Sequence, residues 1–263
     1  MAQNPLIENQ YKNSNNINIR IKLHEKFSQN PVGFHEWAFA NMHFMSGQSV
    51  LECGCGPAAL WYKNKQAIPS NFKATLIDLS EGMLADAKNS LDGWGHAFTF
   101  QPGDIQQLPF ESNAFDCVIA NHMLYHVPDK VAAIREVRRV LKPEGKFFAS
   151  TFGKNHLREI DRIVERFIEL PKSRTSDSFT LENGFEMINN EFRTTELIRH
   201  LDSLIVTEAE PLISYVLSNS KTRIKFDDQS IEAFKSYVKA LIREEGAIKI
   251  RKEAGMFVST KLD

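Results

Sequence analysis

The chain has 263 residues, 42% hydrophobic and 25% charged, enough to bury a substantial core in one elaborated domain or two small ones. Its 32 basic and 33 acidic side chains nearly cancel, so no excess of positive charge is available to displace counterions from a nucleic-acid backbone, and nucleic acid is not an expected partner. The Asn-rich start lacks the basic cluster and apolar run of a secretory signal, and no stretch approaches the roughly 20 apolar residues of a membrane span. Three cysteines, two of them in a CxC turn, fit neither a disulfide framework nor a closed zinc site, so a reducing cytoplasm without a bound metal is expected.

In chain order, Ile17, Ile21, His24 and Phe27 recur at helical spacing from Ser14 until Asn30-Pro31, and Phe34, Trp37 and Phe39 mark a second short helix before Ser46-Gly47. Residues 1–45 therefore read as a helical cap ahead of the main domain. From residue 46 the period changes. Short apolar or β-branched runs at 49–52, 74–77, 98–100, 117–120 and 146–151 predict strands, with helices predicted over 80–90 and 130–141 between them. That alternation predicts an α/β fold, a doubly wound and mostly parallel sheet, for a core spanning 46–152.

After Phe152 the pattern turns helical, with Leu157, Ile160, Ile163, Val164 and Phe167 on one face until Pro171. A loop over 172–180 and a short helix over 183–190 complete an expected lid at 153–191. Strands are predicted over 195–199 and 204–206, a helix over 228–245, and a closing hairpin or edge strand from 248–250 and 256–260. Residues 192–263 would thus finish the sheet of a single domain.

The strongest local signal is Val50-Leu51-Glu52 running into Gly54-Cys55-Gly56-Pro57. Glycines tolerate unusual φ and let a ligand approach the backbone, and a following helix N-terminus offers free N–H groups. Asp78 ends the next apolar run, 22 positions beyond Gly56, where an acidic residue accepts hydrogen bonds from ribose hydroxyls. Capping of the helix that follows is the bland alternative, and Ser80 is an equally good cap. Gly54, Gly56 and Ala59 also satisfy the looser dinucleotide spacing, so at this point a nicotinamide cofactor suits the residues as well.

The wider pattern resembles the class I S-adenosylmethionine (SAM)-dependent methyltransferases. Glu52-Cys53-Gly54-Cys55-Gly56 is similar to their first motif, and Asp78-Leu79-Ser80-Glu81-Gly82-Met83 to the end of their second strand and the segment after it. Gly103-Asp104-Ile105 is similar to their third acidic motif, Phe115 to Asn121 to their fourth strand, and Leu141-Lys142-Pro143-Glu144-Gly145-Lys146 to the turn before their fifth. These motifs fall in order between about residues 46 and 152.

The resemblance implies a seven-stranded doubly wound sheet and SAM as cofactor, with S-adenosylhomocysteine as product. Glu52 would hold the methionine ammonium, Gly54, Cys55 and Gly56 the cofactor against the loop, and Asp78 the ribose. Leu79 and Met83 would flank adenine, Gly103, Asp104 and the Ile105 backbone would read its amino edge, and Asn121 would face the methionine part. SAM carries an ammonium and a sulfonium but no phosphate, so acceptors suit it better than a phosphate cradle. The first helix is similar to caps of small-molecule members, which implies Arg20 for the SAM carboxylate and Tyr11 closing over the sulfonium.

His122 and His126 follow Asn121 at the carboxyl end of the predicted fourth strand, where open sheets bind ligands. Either could act as a base on an acceptor or make a structural hydrogen bond, with His126 the better candidate because the neighbouring Asn121 is already committed to the cofactor. The segment lacks the Asn/Asp-Pro-Pro-Tyr/Phe motif of enzymes that methylate planar nitrogens. Trp37, Phe152, Phe179 and Phe185 could line an apolar acceptor site, although such residues are more often core. The expectation is methyl transfer to O, N or C of a small molecule; an NAD(P)-dependent oxidoreductase and a non-catalytic SAM-binding module are the alternatives.

Overall fold

In a computed structural model the described residues are 15–94, 97–171 and 175–262. The apolar runs of the central segment become β1 (Ser49–Cys53), β2 (Lys73–Asp78), β3 (Ala97–Pro102), β4 (Phe115–Asn121) and β5 (Leu141–Phe152). Each sheet neighbour among these five is parallel. With β6 (Thr195–Val206) and β7 (Ile248–Thr260) they form one seven-stranded sheet in the order β3-β2-β1-β4-β5-β7-β6, and β7 runs antiparallel to β5.

Alternation along the strands sends successive side chains to opposite faces. Leu51, Val118, Phe147 and Phe257 enter one buried cluster, and Val50, Cys117, Phe148 and Met256 the other. Burial on both faces explains why the central strands read as nearly continuous apolar runs. Helix α1 is Asn15–Phe27, α2 is Phe34–Met42 and α3 is Ala59–Tyr62. Helix α4 (Glu81–Leu91) is capped by Ser80, whose Oγ accepts the Met83 N–H at 3.2 Å. Helix α5 (Lys130–Val140) is capped by Asp129, which accepts the Ala132 N–H at 2.9 Å. Both are the side-chain caps that satisfy first-turn amides.

Later elements are α6 (Arg158–Val164), α7 (Gly184–Phe192), α8 (Ala209–Leu217), α9 (Ser220–Arg223) and α10 (Asp228–Glu245). Three sequence expectations change. The two strands expected over 195–206 are one, and the closing hairpin or edge strand is a single interior strand, β7, between β5 and β6. The turn expected at 141–145 belongs to β5, where Leu141 pairs with Phe115 before a register shift. Helix α8 has no counterpart in the sequence reading; Pro211 sits in its first turn, where a missing N–H costs nothing. No described helix is long and apolar enough to cross a membrane.

The chain divides into two compact units, one of 1–33, 155–173 and 201–253, the other of 34–154, 174–200 and 254–263. Residues 155–173 of the expected lid thus belong to the first unit and 174–191 to the second. In the first unit Leu23, Phe27, Leu212, Val216, Phe234 and Val238 share a core. The second unit contains β1 to β5.

Candidate cofactor site

At the end of β1 the chain turns through Gly54 (φ 67°) and Gly56 (φ 53°). The Gly54 and Cys55 N–H groups donate to the Ile77 carbonyl at 2.8 and 3.1 Å, lacing the loop to the end of β2. A Cβ at Gly54 would lie 3.0 Å from the Met123 side chain, whereas one at Gly56 would meet nothing within 4 Å. The positive φ keeps Gly56 a glycine, and the open space beside it is room for a ligand against the backbone.

Asp78 joins this loop directly. Its Oδ2 accepts the Gly56 N–H at 3.0 Å and its Oδ1 the Ser80 N–H at 2.9 Å. Burial pushes its carboxyl up, and these amide bonds work the other way. A carboxylate has about four acceptor sites, so the amides do not exhaust it and acceptor capacity remains for a hydroxyl. Leu79, next in sequence, is 57% exposed, an apolar surface that a flat ring can cover, while Met83 is buried. Gly103 donates its N–H to the Asp78 carbonyl at 3.2 Å, and a Cβ there would lie 3.0 Å from Ile77 Cδ1.

Asp104 accepts the Gln106 N–H at 2.9 Å, and the Gln106 amide spans both carboxylate oxygens at 3.1 and 3.0 Å. Gln106 in turn accepts the Asp129 N–H at 3.0 Å, tying this turn to the start of α5. The sequence reading missed Gln106; its position two residues after Asp104 is the signal of a local side-chain turn. Ile105 is buried, so only its backbone is on offer.

Glu52 is 3% exposed and accepts the Trp61 Nε1–H at 2.6 Å. Burial pushes its carboxyl up to about 8; the Trp61 and Asn121 side chains favour the ionised form, and the Asp78 charge opposes it. Asn121 Oδ1 accepts the Ser150 hydroxyl at 3.0 Å, which aims the other half of the amide. That Nδ2 lies near enough to Glu52 to stabilise its charge, yet it is buried and meets no acceptor in hydrogen-bond geometry. A buried carboxyl without a cation and a buried amide without an acceptor, at the carboxyl ends of the neighbouring strands β1 and β4, are both open to a ligand's polar end. The residues therefore fit SAM: an ammonium for Glu52, ribose hydroxyls for Asp78 and a backbone cradle at Gly56.

Burial pushes the Cys53 and Cys55 thiols well above their ordinary range, so neither is an activated nucleophile. Among the described residues no group of three or more His, Cys, Asp or Glu is arranged to hold a metal ion.

Beyond Asn121 the second unit carries a cluster of rings. His122, at φ 50°, stacks on Phe152 at 4.1 Å and lies 4.4 Å from Phe34. Its N–H donates to the Ser150 carbonyl and Oγ, each at 3.1 Å. His126 closes a 3-10 turn (Leu124–His126) with its ring edge-on to Tyr125 at 4.5 Å. Trp37 lies 5.1 Å from His200, and Tyr125 6.1 Å from Phe152. Of the aromatic residues singled out in sequence, Trp37 and Phe152 join this cluster, Phe179 is fully buried core, and Phe185 is exposed on α7. Phe34, Tyr125 and His200 were not singled out, since nothing in their spacing separates them from core.

Tyr11 lies outside the described residues. Arg20 belongs to the first unit, where its guanidinium donates to the Ser218 Oγ and carbonyl, both at 3.2 Å. The two later motif stretches meet at the amino ends of their strands. Lys142 pairs with Asp116 at 2.9 Å, Asp116 accepts the Ser49 N–H at 2.8 Å, and a Cβ at Gly145 would lie 2.8 Å from the Lys142 carbonyl. These residues hold the sheet together rather than touching a ligand.

In the dinucleotide-binding fold the sixth strand follows the fifth in the sheet; here antiparallel β7 stands between them. A family model described as a methyltransferase domain matches residues 51–149. Over that stretch, which runs from β1 into β5, the chain resembles the class I SAM-dependent methyltransferases in the order of its motifs and of its strands. The chain is 35% identical over 111 residues to a ubiquinone/menaquinone biosynthesis C-methyltransferase of Hahella chejuensis, covering 41% of this chain and 45% of that one. It is also 35% identical over 114 residues to a malonyl-[acyl-carrier protein] O-methyltransferase of Erwinia billingiae, covering 43% of each. The chain thus spans less than half the length of either relative. Among solved structures it is similar in fold to phosphoethanolamine N-methyltransferase 2 of Haemonchus contortus, with TM-score 0.62, 18% identity, and coverage of 100% of this chain and 60% of that one.

Proposed function

We propose that the protein transfers the methyl group of SAM to a small-molecule acceptor. The observation that carries this reading is the set of acceptors at the carboxyl ends of β1, β2 and β4: a buried Glu52 lacking a cation, an Asn121 amide lacking an acceptor, and Asp78 bonded to the glycine loop. The two relatives carry names that differ in acceptor and in the atom methylated; what those names share is methyl transfer to a metabolite-sized group.

SAM held by Glu52, Asn121, Asp78 and the Gly56 loop would supply a methyl carbon already activated by its sulfonium. The protein's task is alignment and exclusion of water. Glu52 and Asn121 hold the methionine end, Asp78 the ribose, and Asp104 with the Ile105 backbone the adenine edge. Leu79 offers an apolar face to the ring. Phe34, Trp37, Tyr125 and Phe152 keep the transfer path dry. His126 takes the proton where the acceptor must lose one, with His122 as second candidate.

Calorimetric titration with SAM, S-adenosylhomocysteine and NAD tests the cofactor, and incubation of a metabolite extract with methyl-labelled SAM tests the reaction. Binding of both sulfur nucleosides and a labelled small product are expected. NAD binding without response to either sulfur nucleoside overturns the reading; SAM binding without labelled product across broad extracts leaves a non-catalytic binder.

A further inference from the structure

Trp61 stands outside every motif named above, nine residues after Glu52 on the short helix α3. Its ring is fully buried, packed against Phe39, Phe44, Phe72 and Phe98 at centroid distances of 6.2, 5.8, 5.3 and 5.7 Å. That packing fixes the direction of the indole N–H, which meets Glu52 at 2.6 Å. An indole is a donor only; it can neither take a proton nor carry a charge.

The groups facing Glu52 are therefore all neutral or acidic. They are Asp78 from β2, the Cys55 thiol from the loop, the Asn121 amide from β4 and the Trp61 indole from α3, while the adjacent Cys53 lies on the other face of the strand. No lysine, arginine or histidine pairs with it among the described residues. A carboxyl so placed is costly to ionise until a cation arrives, and the Trp61 bond keeps ionisation within reach.

We propose that Trp61 is a positioning residue that aims Glu52 and favours its ionised form, so that capture of a ligand's primary ammonium at the end of β1 releases a proton from Glu52. The inference rests on the SAM reading above, in which that ammonium belongs to the methionine part. It predicts a binding site whose affinity depends on pH through the protein rather than through the ligand.

The test is calorimetric titration at pH 6.5 in two buffers of different ionisation enthalpy, below the ordinary α-amino range so that the ligand arrives charged. The probes are S-adenosylhomocysteine and 5′-methylthioadenosine, which lacks the amino-acid part. The wild-type chain is expected to release a proton with the first and none with the second. Trp61→Phe should weaken the first by about tenfold or more, the cost of one hydrogen bond to a charged group. It should leave the second within about twofold and move the proton release to higher pH. Glu52→Gln should abolish the release while the chain still binds 5′-methylthioadenosine, which keeps the test decisive should Phe at position 61 loosen the core. Binding without proton release in the wild-type chain overturns the inference and spares the cofactor reading, as does a Trp61→Phe chain that loses both ligands equally. Failure of the wild-type chain to bind either nucleoside overturns both.

Discussion

The Gly56 N–H donates to Asp78 Oδ2 at 3.0 Å, so two residues 22 apart in the chain are one structural unit. Asp78 shapes the loop through both of its oxygens. On the SAM reading its removal has two consequences, lost ribose contacts and a loosened loop.

Asp78→Asn separates them. The side-chain oxygen can still accept one backbone N–H, but a charged acceptor and one acceptor oxygen are gone. Hydrogen bonds to charged groups contribute about 1.5–3 kcal/mol each, so SAM affinity should fall roughly 10- to 100-fold, and further in Asp78→Ala. Calorimetric titration checks this. Unchanged affinity in Asp78→Ala would show that ribose lies elsewhere.

Gly56→Ala probes the open space beside the loop. A Cβ there touches no protein atom, so the cost to the fold is the strain of an L side chain at φ 53° alone, about 1 kcal/mol. If the cofactor lies against the backbone at this point, the methyl group clashes with it. The expected outcome is a fall in SAM affinity of at least about 100-fold, larger than the strain alone would give. Comparing thermal unfolding of the free chain with SAM titration reads both numbers; equal and small effects would place the cofactor away from Gly56.

Glu52 should cost the free protein stability. Its folded carboxyl titrates at about 8 against an ordinary 4.5 because burial disfavours the charge. The folded chain thus binds the proton more tightly than the unfolded one, and stability from this group is full below pH 4.5 and is lost as pH rises towards 8. Glu52→Gln should leave stability near pH 4 unchanged and raise it at pH 7 by about 3 kcal/mol, while weakening SAM. Denaturant unfolding at the two pH values checks the sign. A Gln variant less stable at pH 7 would mean that Glu52 is ionised in the free chain and compensated.

Much of this site was legible in sequence because its residues are short-range features. Glu52, Gly54 and Gly56 sit in one turn, and Asp78 and Asp104 each end or follow an apolar run. What the sequence hid depends on tertiary contacts. Trp61 reads as one more apolar residue until its N–H is seen to meet Glu52. Gln106 shows its purpose only when α5 brings Asp129 to it. The last strand looked like a hairpin because Lys249, Arg251, Lys252 and Glu253 interrupt it; one of them, Lys252, is charged and largely buried because Asp202 is there to pair with it. The Lys142 turn marked the family, yet it serves the sheet through Asp116 rather than a ligand.

His126→Ala and His122→Ala should differ. His122 is stacked on Phe152 and bonded through its backbone to Ser150, so its removal opens the ring cluster. His126 stands beside Tyr125 at the edge of the same cluster. With the acceptor found by the labelling experiment, His126→Ala should lower kcat by about 100-fold if it removes a proton, with SAM affinity unchanged. A flat kcat at every pH would leave His126 a structural role and direct attention to acceptors that need no base.

In the first unit, Asp202 and Lys252 form a charged pair with side chains 1% and 9% exposed. Ser28 Oγ donates to the same carboxylate, and the Gln29 and Asn30 N–H groups donate to it at 3.1 and 2.9 Å. Burial pushes the Asp202 carboxyl up, but the bonds from Lys252, Ser28 and Asn30 outweigh it and hold the carboxyl down at about 2. A depressed carboxyl contributes stability above its ordinary value near 3.8, and that contribution is lost as pH falls from about 4 towards 2. Asp202→Asn leaves the Lys252 ammonium buried without a counter-charge and should cost about 3–5 kcal/mol near neutral pH. Adding Lys252→Met removes the stranded charge and should return part of that loss. Thermal unfolding of the two variants, run at pH 7 and pH 3, measures both effects. If the single variant loses less than about 1 kcal/mol, the pair is open to water and behaves as a surface ion pair.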